Sequence, residues 1–173
     1  IVKNADDLKN LDKIILPGVG AYKDAMQHLE NSGLKDAILD FANSKKPLLG
    51  ICLGMQLLFE SSEEFGYTKG LGLIEGKVVK FDKSKMSSDL KIPHMGWNEM
   101  IMNDACAHPM VQGVIKTYGE TLPHFYFVHS FVFDCKDSGH IAGRCDYGGE
   151  FTAMVARDNM IGTQFHPEKS QDA

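Results

Sequence analysis

Apolar positions in the first sixty residues fall into short blocks whose period alternates. Asp12–Pro17 is a brief apolar run stopped by Pro17 and Gly18, and it predicts a strand. Tyr22, Ala25, Met26 and Leu29 then recur at helical spacing. They predict a helix over about Tyr22–Asn31 that Gly33 ends. Leu34, Ala37, Ile38 and Phe41 predict a second helix over Leu34–Asn43. Pro47–Ile51 is short and fully apolar, the pattern of a parallel-sheet strand buried on both faces. After Cys52–Gly54 the helical spacing returns at Met55, Leu58 and Phe59, and polar Glu60–Glu64 closes that helix. Strand, helix, helix, strand, helix predicts an α/β fold.

The second half changes period. Leu71–Phe81, His94–Met102, His124–Phe133, His140–Asp146 and Thr152–His166 all read as strands. Turn residues at Asp146–Gly149 and Asp158–Asn159 punctuate them, and Lys83–Asp89 is a polar loop. No strong amphipathic helix is expected in this half. The later strands are expected to run antiparallel, extending a mostly parallel central sheet or forming a small second one.

Composition narrows the class. The chain has 173 residues, enough for one domain with a core of its own, and a formal net charge of −5. That balance argues against general nucleic-acid or anionic-membrane binding. No apolar run approaches the roughly 20 residues of a membrane span. Cys52, Cys106, Cys135 and Cys145 form no C-x-x-C pair, so free thiols in a reducing compartment, the cytoplasm, are expected. Cys106-Ala-His108 has one ligand-like spacing and no second pair, and no metal site is expected.

Two segments carry chemistry. Gly50-Ile-Cys52-Leu-Gly54 has the form G-x-C-x-G between an apolar strand and a helix, the context of a nucleophile elbow. Glycines let strand and helix approach closely there, and the helix start is expected to favour thiolate over thiol. The Leu53 N–H is placed to hold a developing oxyanion, a contact typically worth ~3–4 kcal/mol. The same pattern also suits a buried structural cysteine. The second segment is Thr163-Gln-Phe-His166-Pro-Glu168. Residues two apart on an extended chain point the same way, so the Glu168 carboxylate can fix the tautomer of His166. The bland alternative is a strand-end histidine beside a solvated charge. His129 shares an alternating face with Phe125, Phe127, Phe131 and Phe133, which suggests packing. Trp97, flanked by glycine and polar residues, suits either an interface or the core.

Together, Pro17–Ala21, Gly50–Phe59, Gly70–Leu73, His94–Asn98, Phe127–Ser130 and Phe165–Ser170 make the chain resemble the class I glutamine amidotransferases over essentially its whole length. Within that class, Met95–Asn98 and the Lys-Ser after His-Pro-Glu resemble the glutaminase subunits that serve the cyclase of histidine biosynthesis. The resemblance implies a flavodoxin-like α/β domain with a Cys52, His166, Glu168 triad. It implies that Gln56 holds the amino-acid end of L-glutamine, with backbone near Gly20, Ser130 and Phe131. Leu53 and the Pro17–Gly20 loop would form the oxyanion hole, and the loop at Val19 would rearrange when a (β/α)8-barrel cyclase partner binds its own substrate. Trp97, Asn98 and Lys169 match positions at or near the heterodimer interface, and no cofactor is implied. Rivals are an amidotransferase serving a purine or anthranilate acceptor, a stand-alone thiol hydrolase, and a non-catalytic scaffold. Members of the class carry a strand–helix unit before the segment matching Ile1 and a helix after the one matching Ser170. Residues 1–173 alone are therefore expected to fold poorly and to show little activity.

Overall fold

The computed structural model describes residues 1–119 and 122–170. A short 3-10 turn at Ala5–Asn10 leads into β1 (Ile14–Gly18), α1 (Tyr22–Asn31), α2 (Leu34–Asn43), β2 (Leu48–Cys52) and α3 (Leu53–Leu57). β3 (Phe59–Ser62), β4 (Thr68–Lys69), β5 (Ile74–Lys80), β6 (His94–Glu99) and β7 (Ile101–Met102) follow. Then come α4 (Pro109–Tyr118), β8 (His124–His129), β9 (Phe131–Cys135), β10 (Ile141–Asp146), β11 (Glu150–Arg157) and β12 (Met160–Thr163).

The described residues form three sheets. The largest runs β1-β2-β12-β11-β10-β7. Its β1, β2 and β12 are mutually parallel, and β11, β10 and β7 extend it antiparallel. A second sheet runs β4-β3-β5-β9, and β6 pairs with β8 as a separate antiparallel ribbon. The α/β expectation with antiparallel additions in the second half holds.

Alternating side chains on the large sheet sort into two cores. Leu48, Val155 and Met160 pack with α1, α2 and α3. Met154, Ala156 and Ile161 pack with Phe125, Phe127 and Phe165. With both faces covered, β11 is buried from Phe151 to Ala156, as a central strand in a two-faced layer must be. α1 and α2 bury the positions their spacing predicts, Tyr22, Met26 and Leu29 on one and Ile38 and Phe41 on the other.

Several elements depart from expectation. The helix after the elbow ends at Leu57, and Phe59–Ser62, where the helical spacing predicts its last turn, forms β3 instead. The N–H groups of Leu73 and Ile74 both donate to the Leu58 carbonyl, which turns the chain out of the helix. The predicted strands His94–Met102 and His124–Phe133 break at Met100 and Ser130, so each supplies two strands, while the expected turn at Asp158–Asn159 divides Thr152–His166 into β11 and β12. Finally, an amphipathic helix does intervene in the second half. α4 starts with Pro109 at its first turn and His108 as N-cap, the His108 Nδ1 accepting from the Met110 N–H at 3.3 Å. Only Val111 is fully buried on it and Gly113 interrupts it, so its apolar stripe is thin.

Candidate active site

Glycine geometry explains the elbow. A Cβ on Gly54 would lie 1.7 Å from the Leu16 carbonyl oxygen, and one on Gly50 would lie 2.8 Å from the Gly54 oxygen and the Met55 nitrogen. Only glycine lets the start of α3 rest directly on β1 and β2. Cys52 takes the resulting strain: it stands between β2 and α3 at φ 53°, ψ −112°, a conformation an L-residue rarely adopts. All four cysteines are free thiols, and Cys52 is buried.

Parallel pairing delivers the other groups to the same edge. Gly18 stands opposite Cys52 on the β1 side, so the Gly18–Gly20 loop begins beside the thiol. Val19 is 82% exposed on that loop and Gly20 has φ +99°. On the other side, Thr163 of β12 stands opposite Ile51, so the chain leaving β12 runs past Cys52. His166 follows three residues later, with Nδ1 2.8 Å from Glu168 Oε1. The expected carboxylate–imidazole pair is formed, but on a 3-10 turn at Pro167–Lys169 and not on the extended segment that the sequence pattern implies. His166 Nε2 is buried and has no hydrogen-bond partner among the described residues. With Nδ1 committed to Glu168, Nε2 is the nitrogen left for proton exchange.

β8 anchors this turn. The His166 N–H donates to the Tyr126 carbonyl at 2.9 Å, and the Tyr126 N–H donates to Ser170 Oγ at 3.1 Å. Ser170 Oγ donates to the His166 carbonyl at 2.7 Å. Trp97, paired opposite Tyr126, meets its ring edge-on at a 6.0 Å centroid distance. Met95 and Trp97 point outward from β6, which puts Trp97 on the surface and not in the core. Asn98 is only partly exposed and its side chain is engaged internally: Oδ1 lies 3.2 Å from His94 Nε2, and Nδ2 donates to the Asp146 carbonyl at 3.0 Å. Lys169 is exposed next to Glu168. Ser130 and Phe131 lie at the break between β8 and β9, where His129 Nδ1 sits 2.8 Å from the Phe131 carbonyl.

Electrostatics corrects one expectation. Burial pushes the Cys52 thiol up, and this outweighs the downward pull of the Leu53 N–H and the Gln164 amide; Glu168 raises it further and Lys169 lowers it. A five-residue helix contributes too little dipole to reverse that order. The resting sulfur is therefore a thiol that must lose its proton during the reaction. Burial alone would raise the Glu168 carboxyl, but the hydrogen bond from His166, with its own backbone N–H and the nearby charges of His166 and Lys169, brings it below the usual carboxylate value.

Two features had no forecast. Gln164 is fully buried: its Nε2 lies 3.5 Å from Cys52 Sγ, and its Oε1 accepts from Gln56 Nε2 at 3.1 Å. Gln56, expected to meet substrate, is thus linked to the thiol through a second amide. Only the β2–β12 register brings Gln164 to Cys52, and no local pattern carries that register. His94 and His129 also face each other across the ribbon, Nδ1 to Nε2 at 3.0 Å, so His129 belongs to a buried polar chain and does more than pack. Burial lowers both rings, His129 to about 3.

Comparison with known proteins agrees with this geometry. The family model for "Glutamine amidotransferase class-I" matches residues 1–173. The chain is 56% identical over 164 residues to the "Imidazole glycerol phosphate synthase subunit HisH" of Sulfurimonas denitrificans, covering 95% of this chain and 75% of that one. It is 48% identical over 172 residues to the subunit of the same name in Wolinella succinogenes, covering 99% and 80%. Among solved structures, one titled as a glutamine amidotransferase superimposes with a TM-score of 0.71 at 18% identity, over 99% of this chain and 78% of that chain. The glutaminase domain of Trypanosoma brucei CTPS does so at 0.60 and 18%, over 95% and 66%. These distant structures speak for the fold, and the family match and close relatives settle the membership: the chain belongs to the class I glutamine amidotransferases.

Proposed function

We propose that this chain is the glutaminase subunit of an imidazole glycerol phosphate synthase, hydrolysing L-glutamine to glutamate and passing ammonia to a cyclase in histidine biosynthesis. The observation that carries the chemistry is the buried His166 paired to Glu168 at the strand edge that also holds the Cys52 elbow. The shared name of the close relatives supports the acceptor.

The reaction runs through a thioester. His166 Nε2 takes the Cys52 proton as the sulfur attacks the side-chain amide carbon of glutamine. The Leu53 N–H and the Gly18–Gly20 loop at Val19 hold the oxyanion. His166 then returns the proton to the departing nitrogen, ammonia leaves, and a γ-glutamyl thioester remains on Cys52. Next His166 draws a proton from water, the hydroxide attacks the thioester carbon, and collapse releases glutamate and the thiol. Glu168 stabilises the imidazolium in both halves. The scheme calls for no metal or organic cofactor. Gln56 and the backbone at Gly20, Ser130 and Phe131 hold the substrate's amino-acid end. Outward Met95 and Trp97 suit a partner surface, with Asn98 behind them and Lys169 alongside. That partner is a (β/α)8-barrel cyclase whose interior conducts the ammonia, and the heterodimer works in the cytoplasm, in keeping with four free thiols.

The test is glutaminase assay of Cys52→Ala beside the parent subunit, with and without the cyclase and its ligand. Glutamate release that the cyclase stimulates in the parent and that vanishes in Cys52→Ala is expected. Stimulation by a purine or anthranilate synthase in place of the cyclase would overturn the acceptor. Release that persists in Cys52→Ala would overturn the chemistry.

A further inference from the structure

Among the groups that the thioester scheme leaves unused, one touches the nucleophile. Gln164 has no exposed surface, and its two amide atoms face two different residues. Its oxygen accepts from Gln56 Nε2 at 3.1 Å, and this leaves the nitrogen on the side away from Gln56. That nitrogen faces Cys52 Sγ at 3.5 Å. Gln56 is itself buried and comes from the helix that starts at the elbow. The result is a buried file Gln56–Gln164–Cys52 that spans α3, the chain leaving β12, and the elbow.

We propose that Gln164 is a positioning residue for the nucleophile: clamped by Gln56, its amide N–H holds the Cys52 sulfur in place and stabilises the thiolate once His166 has taken the proton. This rests on the reading of Cys52 as the nucleophile and deepens it.

The need for such a donor follows from the surroundings. A thiolate formed here is buried, and the charges that act on it are the carboxylate of Glu168 and the ammonium of Lys169, opposite in sign and both exposed on the turn after β12. In the proposed scheme His166 is the group that takes its proton. Solvent screens the two exposed charges, so uncharged donors in contact with the sulfur must carry most of the stabilisation. Among the described residues two act on it: the Leu53 N–H, which the oxyanion also requires, and the Gln164 amide. Gln164 is thus the donor free to stay on sulfur while Leu53 turns to the substrate oxygen. The file also ties the residue proposed to meet substrate to the reacting atom.

The experiment measures the pH dependence of iodoacetamide alkylation at Cys52, followed by peptide mass spectrometry in the full-length subunit, for the parent, Gln164→Met and Gln56→Met. Methionine keeps the length and removes the donor. Loss of one hydrogen bond to a buried anion is expected to raise the midpoint in Gln164→Met by about one to two pH units and slow neutral-pH alkylation at least about tenfold. Gln56→Met is expected to shift it in the same direction by less. Unchanged midpoints and rates in both variants would overturn the proposal. Gln56→Met carries the test alone should Gln164→Met fail to fold. A parallel arm treats the parent with a glutamine-mimicking chloroketone. Failure of that reagent to modify Cys52 would sink the glutaminase reading, while the iodoacetamide profiles would still report on Gln164.

Discussion

Replacing Gly54 with alanine probes the elbow through a single methyl group. The added Cβ would sit 1.7 Å from the Leu16 oxygen and 2.7 Å from its carbonyl carbon, both backbone atoms of β1. Ordinary contact begins at 3.4 Å, so α3 must withdraw from β1 by more than about 1 Å. Two effects oppose each other. Alanine in place of glycine restricts the unfolded chain and favours helix, a gain of about 0.4–1 kcal/mol. Overpacking against backbone costs about 1–3 kcal/mol. The cost wins, and a net loss of about 1–2 kcal/mol lowers Tm by roughly 5 °C in a domain of this size. Activity falls further, because the movement carries the Leu53 N–H and Cys52 with it, and a 1 Å misplacement costs about 10²-fold. Gly113→Ala in α4 is the control: nothing lies within 4 Å of its Cβ, so helix propensity alone raises stability by up to about 1 kcal/mol. The assays are thermal denaturation and cyclase-stimulated glutamate release. A Gly54→Ala protein with parental Tm and activity within twofold of the parent would refute the reasoning.

Glu168→Gln keeps an acceptor for His166 Nδ1 but removes the charge; the side chain is about half exposed and water screens it, so kcat is expected to fall about 10–100-fold with Tm and KM little changed. Parental kcat in that variant would remove Glu168 from the triad. Stability should depend on pH through His129, whose burial lowers it from 6.5 to about 3. Below about pH 6.5 the unfolded chain takes up a proton that the fold refuses. The stabilisation is thus complete above that pH and is lost progressively as pH falls toward about 3, at up to ~1.4 kcal/mol per unit for this one ring. Urea midpoints at pH 7 and pH 5 measure it, and equal midpoints would contradict the reading. Trp97→Ala should leave the melting of the isolated subunit unchanged while weakening cyclase binding by about tenfold or more, measured by titration calorimetry. Unaltered affinity would move the interface elsewhere.

How far the sequence carried the fold depended on how local each feature was. α1 and α2 were readable to the residue because Tyr22, Met26 and Leu29, then Ile38 and Phe41, repeat within one turn of each other and Gly33 separates them. β2 and the elbow were readable because Gly50 and Gly54 answer contacts made within five residues and with the adjacent strand. The His166–Glu168 pair spans two residues and needed no tertiary knowledge. α4 escaped because one fully buried residue and an internal glycine leave almost no stripe to detect. β3 escaped because backbone bonds from Leu73 and Ile74 to Leu58, invisible in a periodicity, end the helix early. Gln164 and the His94–His129 contact come from register between strands far apart in the chain, and the sequence pattern does not carry register. The state of the thiol was misjudged for another reason. The helix start is visible in the sequence and the burial of the thiol is not, and burial dominates.

The central claim is that the Cys52 sulfur bonds to the glutamyl group during turnover. The direct measurement is acid quench of the cyclase-stimulated subunit during steady-state turnover of isotopically labelled glutamine, followed by peptide mass spectrometry. A labelled γ-glutamyl adduct is expected on the peptide bearing Cys52, released by mild base as a thioester is, and absent in Cys52→Ala. An adduct on Cys106, Cys135 or Cys145, or steady glutamate release from Cys52→Ala at the parental rate, would contradict it.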